Sequence, residues 1–222
     1  MDASTRQAEQ EAIGIRAVIA SSLGATGTYV DVGTNRGQVL AEAVRIAPEG
    51  HHVAFEPIPR LRAEVVRAFP RVDCRELALG ARSGVEEFCH FTQLDGWSGL
   101  RRSPEVSDER GRPEYISVTV STLDAELDGL APRLIKIDVE GAELAVLEGG
   151  RSLLGRARPQ LIVEHVAAAA ALYGASSEAL WDLLDGLGYR VFSVTGAGPF
   201  GRSSFGRDPD VVNWLATPAD RP

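Results

Sequence analysis

Two short segments of the chain could together bind a nucleoside. The first, Asp31-Val-Gly-Thr-Asn-Arg-Gly37, lies between a β-branched run and a helical pattern, and its glycines would let a ligand approach backbone amides at a helix start. The second is Glu56, at the end of the next predicted strand about 20 residues on, where a carboxylate can accept hydrogen bonds from both ribose hydroxyls. Each feature alone is equally compatible with an ordinary turn or a solvated strand end. Together they predict a nucleoside site.

The charge of Asp31 indicates which nucleoside to expect. A carboxylate at the glycine turn would repel a dinucleotide pyrophosphate, whereas S-adenosylmethionine has no phosphate and carries an ammonium and a sulfonium. Asn35 stands where the dinucleotide fingerprint has its central glycine, which leaves room for a smaller ligand. We therefore expect S-adenosylmethionine as the cofactor. A nicotinamide-dependent oxidoreductase is the alternative, because it shares the strand, the turn and the acidic strand end.

A second group of acidic residues follows a later strand-like run. Ile135 and Ile137 can bury in a sheet while Asp138 emerges at its carboxyl end, where ligands bind in open α/β folds. Glu140 and Glu143 open the next helix, and their default role is to stabilise its N-terminus. We expect Asp138 to meet the reacting groups.

Two basic residues lie near the same predicted edge of the sheet. His165 follows Glu164 at a strand end and could take the proton of an acceptor hydroxyl, although a polar cap is an equal alternative. Lys136, the only lysine of the chain, lies within a predicted strand and is expected to be a buried partner of one of these carboxylates. The candidate catalytic residues are therefore Asp138, His165 and Glu140. With Glu164 they could also bind a divalent cation, but the spacing matches no defined metal motif, and we expect no metal.

Alternating strands and helices must position these residues. Strand-like runs at 28–32 and 51–55 are each followed by a helical pattern, which predicts a parallel sheet with right-handed crossovers. Ile13, Ala17 and Ala20 recur at helical spacing before Gly24 and predict an N-terminal amphipathic helix. Other segments with strand or helix patterns are 74–79, 84–90, 116–120, 134–138, 160–164, 189–194 and 211–215 for strands, and 143–154 and 177–187 for helices.

Length and composition limit the class of protein. A chain of 222 residues without a linker or repeat predicts one domain, 1–222, with a helical segment 1–24 and a core 25–222 that contains long loops at 91–114 and 195–210. The net charge of -8 argues against a nucleic-acid partner. No apolar run reaches the ~20 residues of a membrane span. Two cysteines and the absence of a leader pattern favour the cytoplasm.

Five segments also occur in a characteristic order. They are Asp31-Val-Gly-Thr-Asn-Arg-Gly37, Ala54-Phe-Glu-Pro-Ile-Pro59, Ser121-Thr-Leu-Asp124, Leu134-Ile-Lys-Ile-Asp-Val-Glu-Gly-Ala-Glu143 with Leu147-Glu-Gly149, and Pro159-Gln-Leu-Ile-Val-Glu164. This series resembles the motifs of the FkbM family of class I S-adenosylmethionine-dependent methyltransferases, many of which are O-methyltransferases that tailor natural products or sugars. The resemblance covers roughly residues 28–215. It leaves out the N-terminal helix and the loops, which usually choose the acceptor.

The resemblance implies a fold, a cofactor site and a reaction. The fold would be the Rossmann-like α/β class I methyltransferase fold, a mostly parallel seven-stranded sheet with helices on both faces and an antiparallel last strand. The methionine half of the cofactor would contact Asp31, Gly33, Asn35 and Gly37, the ribose would contact Glu56, and the adenine would lie near residues 77–79, at Ala78. The expected reaction is direct methyl transfer to a hydroxyl of a small-molecule acceptor, a natural product or sugar. A non-catalytic S-adenosylmethionine-binding protein is a further alternative, and a homo-oligomer is left open.

Overall fold

The computed structural model describes residues 3–102 and 112–220. The first stretch contains α1 (Ala3–Leu23), β1 (Tyr29–Val32), α2 (Gln38–Ile46), β2 (Val53–Phe55), α3 (Pro59–Ala68), β3 (Asp73–Arg75), β4 (Ala78–Leu79), β5 (Gly84–His90) and a 3₁₀ helix (Asp95–Trp97). The second contains β6 (Glu114–Ser121), α4 (Leu123–Glu126), β7 (Leu134–Ile137), α5 (Glu143–Glu148), α6 (Arg151–Ala157), β8 (Gln160–Glu164), α7 (Ala167–Ala171), α8 (Ser177–Gly186), β9 (Tyr189–Ser193) and β10 (Asn213–Pro218). None of these helices combines the length and apolar character that a membrane span requires.

A seven-stranded sheet in the order β3-β2-β1-β7-β8-β10-β9 forms the centre of the molecule. Its first five strands run parallel, and β10 is antiparallel to both of its neighbours. The predicted mostly parallel sheet with an antiparallel last strand is therefore confirmed. Val32 pairs with Phe55 on one side and with Ile137 on the other, so the carboxyl ends of β1, β2 and β7 lie side by side at the carboxyl edge of the sheet.

Helix α1 covers one face of this sheet. Its buried side chains include Ile15, Val18 and Ile19, whereas Ile13 is 63% exposed. The predicted inward face, which contained Ile13, is therefore wrong. Gly14 lies on the buried face of the helix, where a Cβ would lie 2.4 Å from the carbonyl oxygen of Val194. Ile15, Val18 and Ile19 follow the i, i+3, i+4 spacing of a buried helix face, and Gly14 lets this face approach the neighbouring backbone closely.

Three of the predicted strand segments do not extend the central sheet as expected. The segments 84–90 and 116–120 do form strands, but they pair with each other in a separate sheet ordered β4-β6-β5. The predicted strand 74–79 is two strands, because β3 is the edge of the central sheet and the chain then crosses over to pair Ala78 with Val120. The small sheet thus stands beside the carboxyl edge of the central one.

The structure also differs from the prediction in one helix and defines one of the two long loops. The predicted helix 143–154 is interrupted at Gly149 and Gly150, where added Cβ atoms would lie 2.2 Å from the Gly80 oxygen and 2.8 Å from a Leu123 methyl carbon. The loop 195–210 packs on the core, and Phe205 is 1% exposed there. Residues 103–111 of the predicted loop 91–114 lie outside the described residues.

Candidate cofactor and catalytic site

A cavity opens at the carboxyl edge of the central sheet. It encloses about 730 Å³ of atom-free space, part of which is open to solvent. Its walls come from the ends of β1, β2 and β7, from the small sheet, and from the loop after β5. The lining residues are Val32, Gly33, Asn35, Phe55, Glu56, Pro57, Ile58, Leu77, Ala78, Leu79, Phe88, Asp95, Gly96, Ser98, Leu100, Asp138, Val139, Glu140 and Ala142. Ligands bind at this edge in open α/β sheets.

The turn after β1 forms one wall of the cavity. Gly33 and Asn35 both have left-handed backbones, with φ of 80° and 50°. A Cβ at Gly33 would lie 1.9 Å from the carbonyl oxygen of Asp138, so only glycine allows this approach between the ends of β1 and β7. The structure thus places the predicted Gly33 and Asn35 directly at the cavity.

Asp31 and Gly37 lie behind this turn and are not among the residues that line the cavity. The buried Asp31 carboxylate accepts hydrogen bonds from the Tyr29 hydroxyl at 3.1 Å and the Thr34 hydroxyl at 2.8 Å. Gly37 has a φ of 75°, and a Cβ there would lie 2.7 Å from the Phe69 ring. Both residues shape the turn, and their contact with a methionine half stays a prediction.

Glu56 is held in the cavity wall by two backbone amides. The Asn35 amide donates to Oε2 and the Ile58 amide donates to Oε1, both at 2.9 Å. Burial raises the pKa of Glu56 to about 7, and the carboxylates of Asp95 and Asp31 act in the same direction. A ligand that donates hydrogen bonds or brings positive charge would therefore stabilise the ionised form.

The wall beside Glu56 is apolar. Leu77, Ala78 and Leu79 line it, together with Ile58 and Leu100. A flat, weakly polar ring such as a purine fits between such side chains, since ligand sites are lined mainly by apolar groups. The structure places the predicted Ala78 in this wall, and its contact with adenine stays a prediction.

An ion-pair network fastens the loop after β5 over the cavity. Asp95 accepts hydrogen bonds from Arg36 at 2.8 Å and from Arg60 at 2.7 Å, and both arginines also contact Glu64. The Nε2 atom of His90 lies 3.3 Å from the same Asp95 carboxylate. Sequence reasoning did not identify this cluster. Arg36 lies within the motif at 31–37 and Arg60 follows the motif at 54–59, but no spacing pattern in the loop marks Asp95.

The acidic residues at the end of β7 form the opposite side of the cavity. Asp138 and Glu140 line it, and one carboxylate oxygen each of Asp138, Glu140 and Glu164 lie within 4.8 Å of one another. The Lys136 ammonium is 2.6 Å from Oδ2 of Asp138, which confirms the predicted pairing of this buried lysine with one of these carboxylates. Burial would raise the pKa of Asp138, but Lys136 outweighs it and keeps the pKa below the ordinary value.

A further carboxylate shapes the turn that presents Glu140. Oε1 of Glu143 accepts hydrogen bonds from the amides of Val139 at 3.2 Å and Gly141 at 2.9 Å. Glu140 itself has a φ of 55°, which side-chain-bearing residues rarely adopt. The 2% exposed Glu143 therefore acts as a buried brace of this turn, in addition to its expected place at the start of α5.

His165 has a different environment from these carboxylates. Its Nε2 lies 2.8 Å from the hydroxyl of Ser177, and its ring stacks on Phe205 at a centroid distance of 5.2 Å. Burial lowers the pKa of His165 to about 4. It is not among the residues that line the cavity, so the structure does not bring it together with Asp138 and Glu140 there. Its role as a base stays a prediction.

The strand order β3-β2-β1-β7-β8-β10-β9 with antiparallel β10, and the glycine turn after β1, are those of the Rossmann-like class I methyltransferase fold. Residues 31–191 match the Methyltransferase FkbM domain. The chain therefore belongs to the FkbM methyltransferase family, and this membership implies S-adenosylmethionine as the cofactor.

Solved structures share the fold. The methyltransferase FkbM from Methylobacillus flagellatus KT aligns with a TM-score of 0.55 at 18% identity, over 88% of this chain and 44% of that chain. This chain thus spans less than half the length of that relative. Cofactor-bound Rv0187 from MTB aligns with a TM-score of 0.50 at 14% identity, over 100% of this chain and 92% of that chain. No curated protein sequence matches this chain.

Proposed function

We propose that the protein transfers a methyl group from S-adenosylmethionine to a hydroxyl oxygen of a small-molecule acceptor, a hydroxylated natural product or sugar. One observation carries this proposal: a single cavity is lined both by the turn residues Gly33 and Asn35 with Glu56, and by the carboxylates of Asp138 and Glu140. A nucleoside donor and a proton acceptor would therefore share one space.

The charge of the cavity supports this donor over a dinucleotide. Its ionisable lining residues are the acids Glu56, Asp95, Asp138 and Glu140, and none of its described lining residues is basic. Arg36 and Arg60 pair with Asp95, and Lys136 pairs with Asp138, but none of these basic residues lines the cavity. The lining therefore presents carboxylates, which favour an ammonium and a sulfonium over a pyrophosphate. The carboxylates likewise disfavour phosphorylated acceptors and favour uncharged or cationic ones.

Different residues of the cavity would bind the cofactor and accept the proton. Glu56 would hold the ribose, the apolar wall at Ala78 the adenine, and the turn at Gly33 and Asn35 the methionine half. Bound S-adenosylmethionine supplies an electrophilic methyl group. Asp138, kept ionised by Lys136, accepts the proton of the acceptor hydroxyl, while the remaining walls orient the acceptor and limit access of water.

Separate replacement of the candidate bases tests the proposal. We expect Asp138→Asn to lower kcat about 10²- to 10⁴-fold, the usual contribution of a positioned acid or base. Glu140→Gln should reduce turnover less, and His165→Asn should leave most of it, because His165 does not line the cavity. Glu148→Gln, an exposed acid at the end of α5, is the matched control. The measurement is S-adenosylhomocysteine release with a panel of neutral hydroxylated acceptors.

Three outcomes would contradict parts of this account. Full turnover in Asp138→Asn with loss in His165→Asn would make His165 the base. Cofactor binding without methylated product across the acceptor panel would indicate a non-catalytic binding protein. Turnover that consumes a nicotinamide cofactor would assign the cavity to an oxidoreductase.

A further inference from the structure

The position of the only lysine in the chain is unusual. Lys136 lies in the middle of the central sheet on β7, opposite Asp31 of β1 and Ile162 of β8, and is 5% exposed. Burying an ammonium is costly unless it is paired, so this position requires negative partners. Burial would lower the pKa of Lys136, but Asp138 and Asp31 raise it above the ordinary value, and the side chain stays charged.

The carboxylates near Lys136 have the arrangement of a divalent-cation site. One oxygen each from Asp138, Glu140 and Glu164 can come within 4.8 Å of the others, which is compatible with a single ion that binds each oxygen at about 2.0–2.6 Å. Register explains the proximity of two of them, because Ile137 pairs with Val163 and the next residues, Asp138 and Glu164, leave adjacent parallel strands together. Asp138 and Glu164 are hydrogen-bonded to each other, and burial together with the charge of Asp138 raises the pKa of Glu164 well above its ordinary value, so these two carboxyl groups share a proton beside Lys136.

We infer that Lys136 is a built-in counter-ion that takes the place of a divalent cation among these carboxylates and holds Asp138 in position. Its ammonium is 2.6 Å from Oδ2 of Asp138, a charge-assisted hydrogen bond. The ammonium is a compact point charge with three donors, whereas arginine carries a planar fork that needs more room. This difference explains a lysine here in a chain whose other strongly basic residues are all arginine. The role of the positioned Asp138 as a base rests on the proposed function, whereas the prediction about metal binding does not.

Calorimetric titration with CaCl₂ and MnCl₂ after chelator treatment tests the inference. The wild-type protein should show no saturable binding at this site. Lys136→Met removes the charge but keeps an unbranched chain, and should create a saturable site. Adding Glu164→Gln to that variant should abolish the new site. Arg45→Met, which removes an exposed cation from α2, is the matched control and should bind no ion.

Two results would overturn the inference. One is saturable ion binding by the wild-type protein that Asp138→Asn abolishes. The other is a folded Lys136→Met variant, with the circular dichroism of the wild type, that binds no ion.

If Lys136→Met does not fold, the wild-type protein gives a second test. Labelling with [¹⁵N]lysine produces one side-chain signal, because the chain has a single lysine. We expect this signal to move in Asp138→Asn and to stay unchanged when CaCl₂ or MgCl₂ is added. A shift on addition of either salt would refute the built-in counter-ion. Both tests read ion binding, so they can fail or succeed independently of methyl transfer.

Discussion

Replacement of Glu56 should weaken S-adenosylmethionine binding by a predictable amount. A hydrogen bond to a charged group contributes about 1.5–3 kcal/mol, and every 1.4 kcal/mol is a tenfold change in affinity. Loss of the carboxylate in Glu56→Gln should therefore raise the Kd roughly ten- to hundredfold in a calorimetric titration. Glu76→Gln is the matched control, because Glu76 follows β3 as Glu56 follows β2 but is exposed and does not line the cavity.

Glutamine rather than alanine is chosen at Glu56 so that a loss of cofactor affinity is not confused with a loss of folding stability. The Glu56 carboxylate accepts the amides of Asn35 and Ile58, so alanine would leave two N–H groups without an acceptor, at a cost of about 1–3 kcal/mol each in unfolding free energy. Glutamine keeps one acceptor oxygen and should lose less. Denaturant unfolding of both variants checks this order.

The pH dependence of the same residue gives a second measurement. Burial raises the pKa of Glu56 to about 7 from 4.5, so the folded state binds more protons than the unfolded state in this window. Its contribution to stability is present below pH 4.5 and is lost as pH rises through about 7. Cofactor affinity should instead increase over the same range, because the ionised form binds the ribose. An unchanged Kd and an unchanged pH slope in Glu56→Gln would refute this reasoning.

Three further predictions concern other parts of the site. Gly33→Ala should lower both the unfolding free energy and cofactor affinity, because its Cβ would lie 1.9 Å from the Asp138 oxygen, and wild-type binding would contradict the close approach. Asp95→Asn weakens the contacts that fasten the loop and should speed cofactor release in stopped-flow fluorescence of nearby Trp97, whereas an unchanged rate would show that the loop does not retain the ligand. Burial lowers the pKa of His165 to about 4 from 6.5, so stability should fall as pH drops through this window, where the unfolded state takes up a proton. His165→Phe should remove that part of the decline in denaturant unfolding, and an identical decline would disprove the assignment.

The sequence predicts those parts of the site that local rules determine. A parallel sheet brings the ends of its strands to one edge, so the chain order of strands and helices is enough to place Gly33, Glu56 and Asp138 near one another. Each stands immediately after a strand of three or four buried residues. The pairing of Lys136 follows from the cost of burying a charge inside such a strand.

Contacts between distant segments could not be predicted in this way. The network at Asp95 joins a loop to Arg36 and Arg60, which are far away in sequence and share no periodicity with it. The sequence of 84–90 indicates a strand, but it would be the same whether that strand joined the central sheet or, as it does, a separate one. His165 illustrates the same limit, because its contact with Ser177 depends on how α8 packs against the end of β8.

Calorimetric titration of the wild-type protein with S-adenosylmethionine, S-adenosylhomocysteine and NAD in turn is the most direct test of the central claim. We predict saturable binding of both S-adenosyl compounds with a stoichiometry of about one, and no heat of binding for NAD, because the acidic cavity repels its pyrophosphate. Saturable binding of NAD with no binding of S-adenosylmethionine would contradict the account.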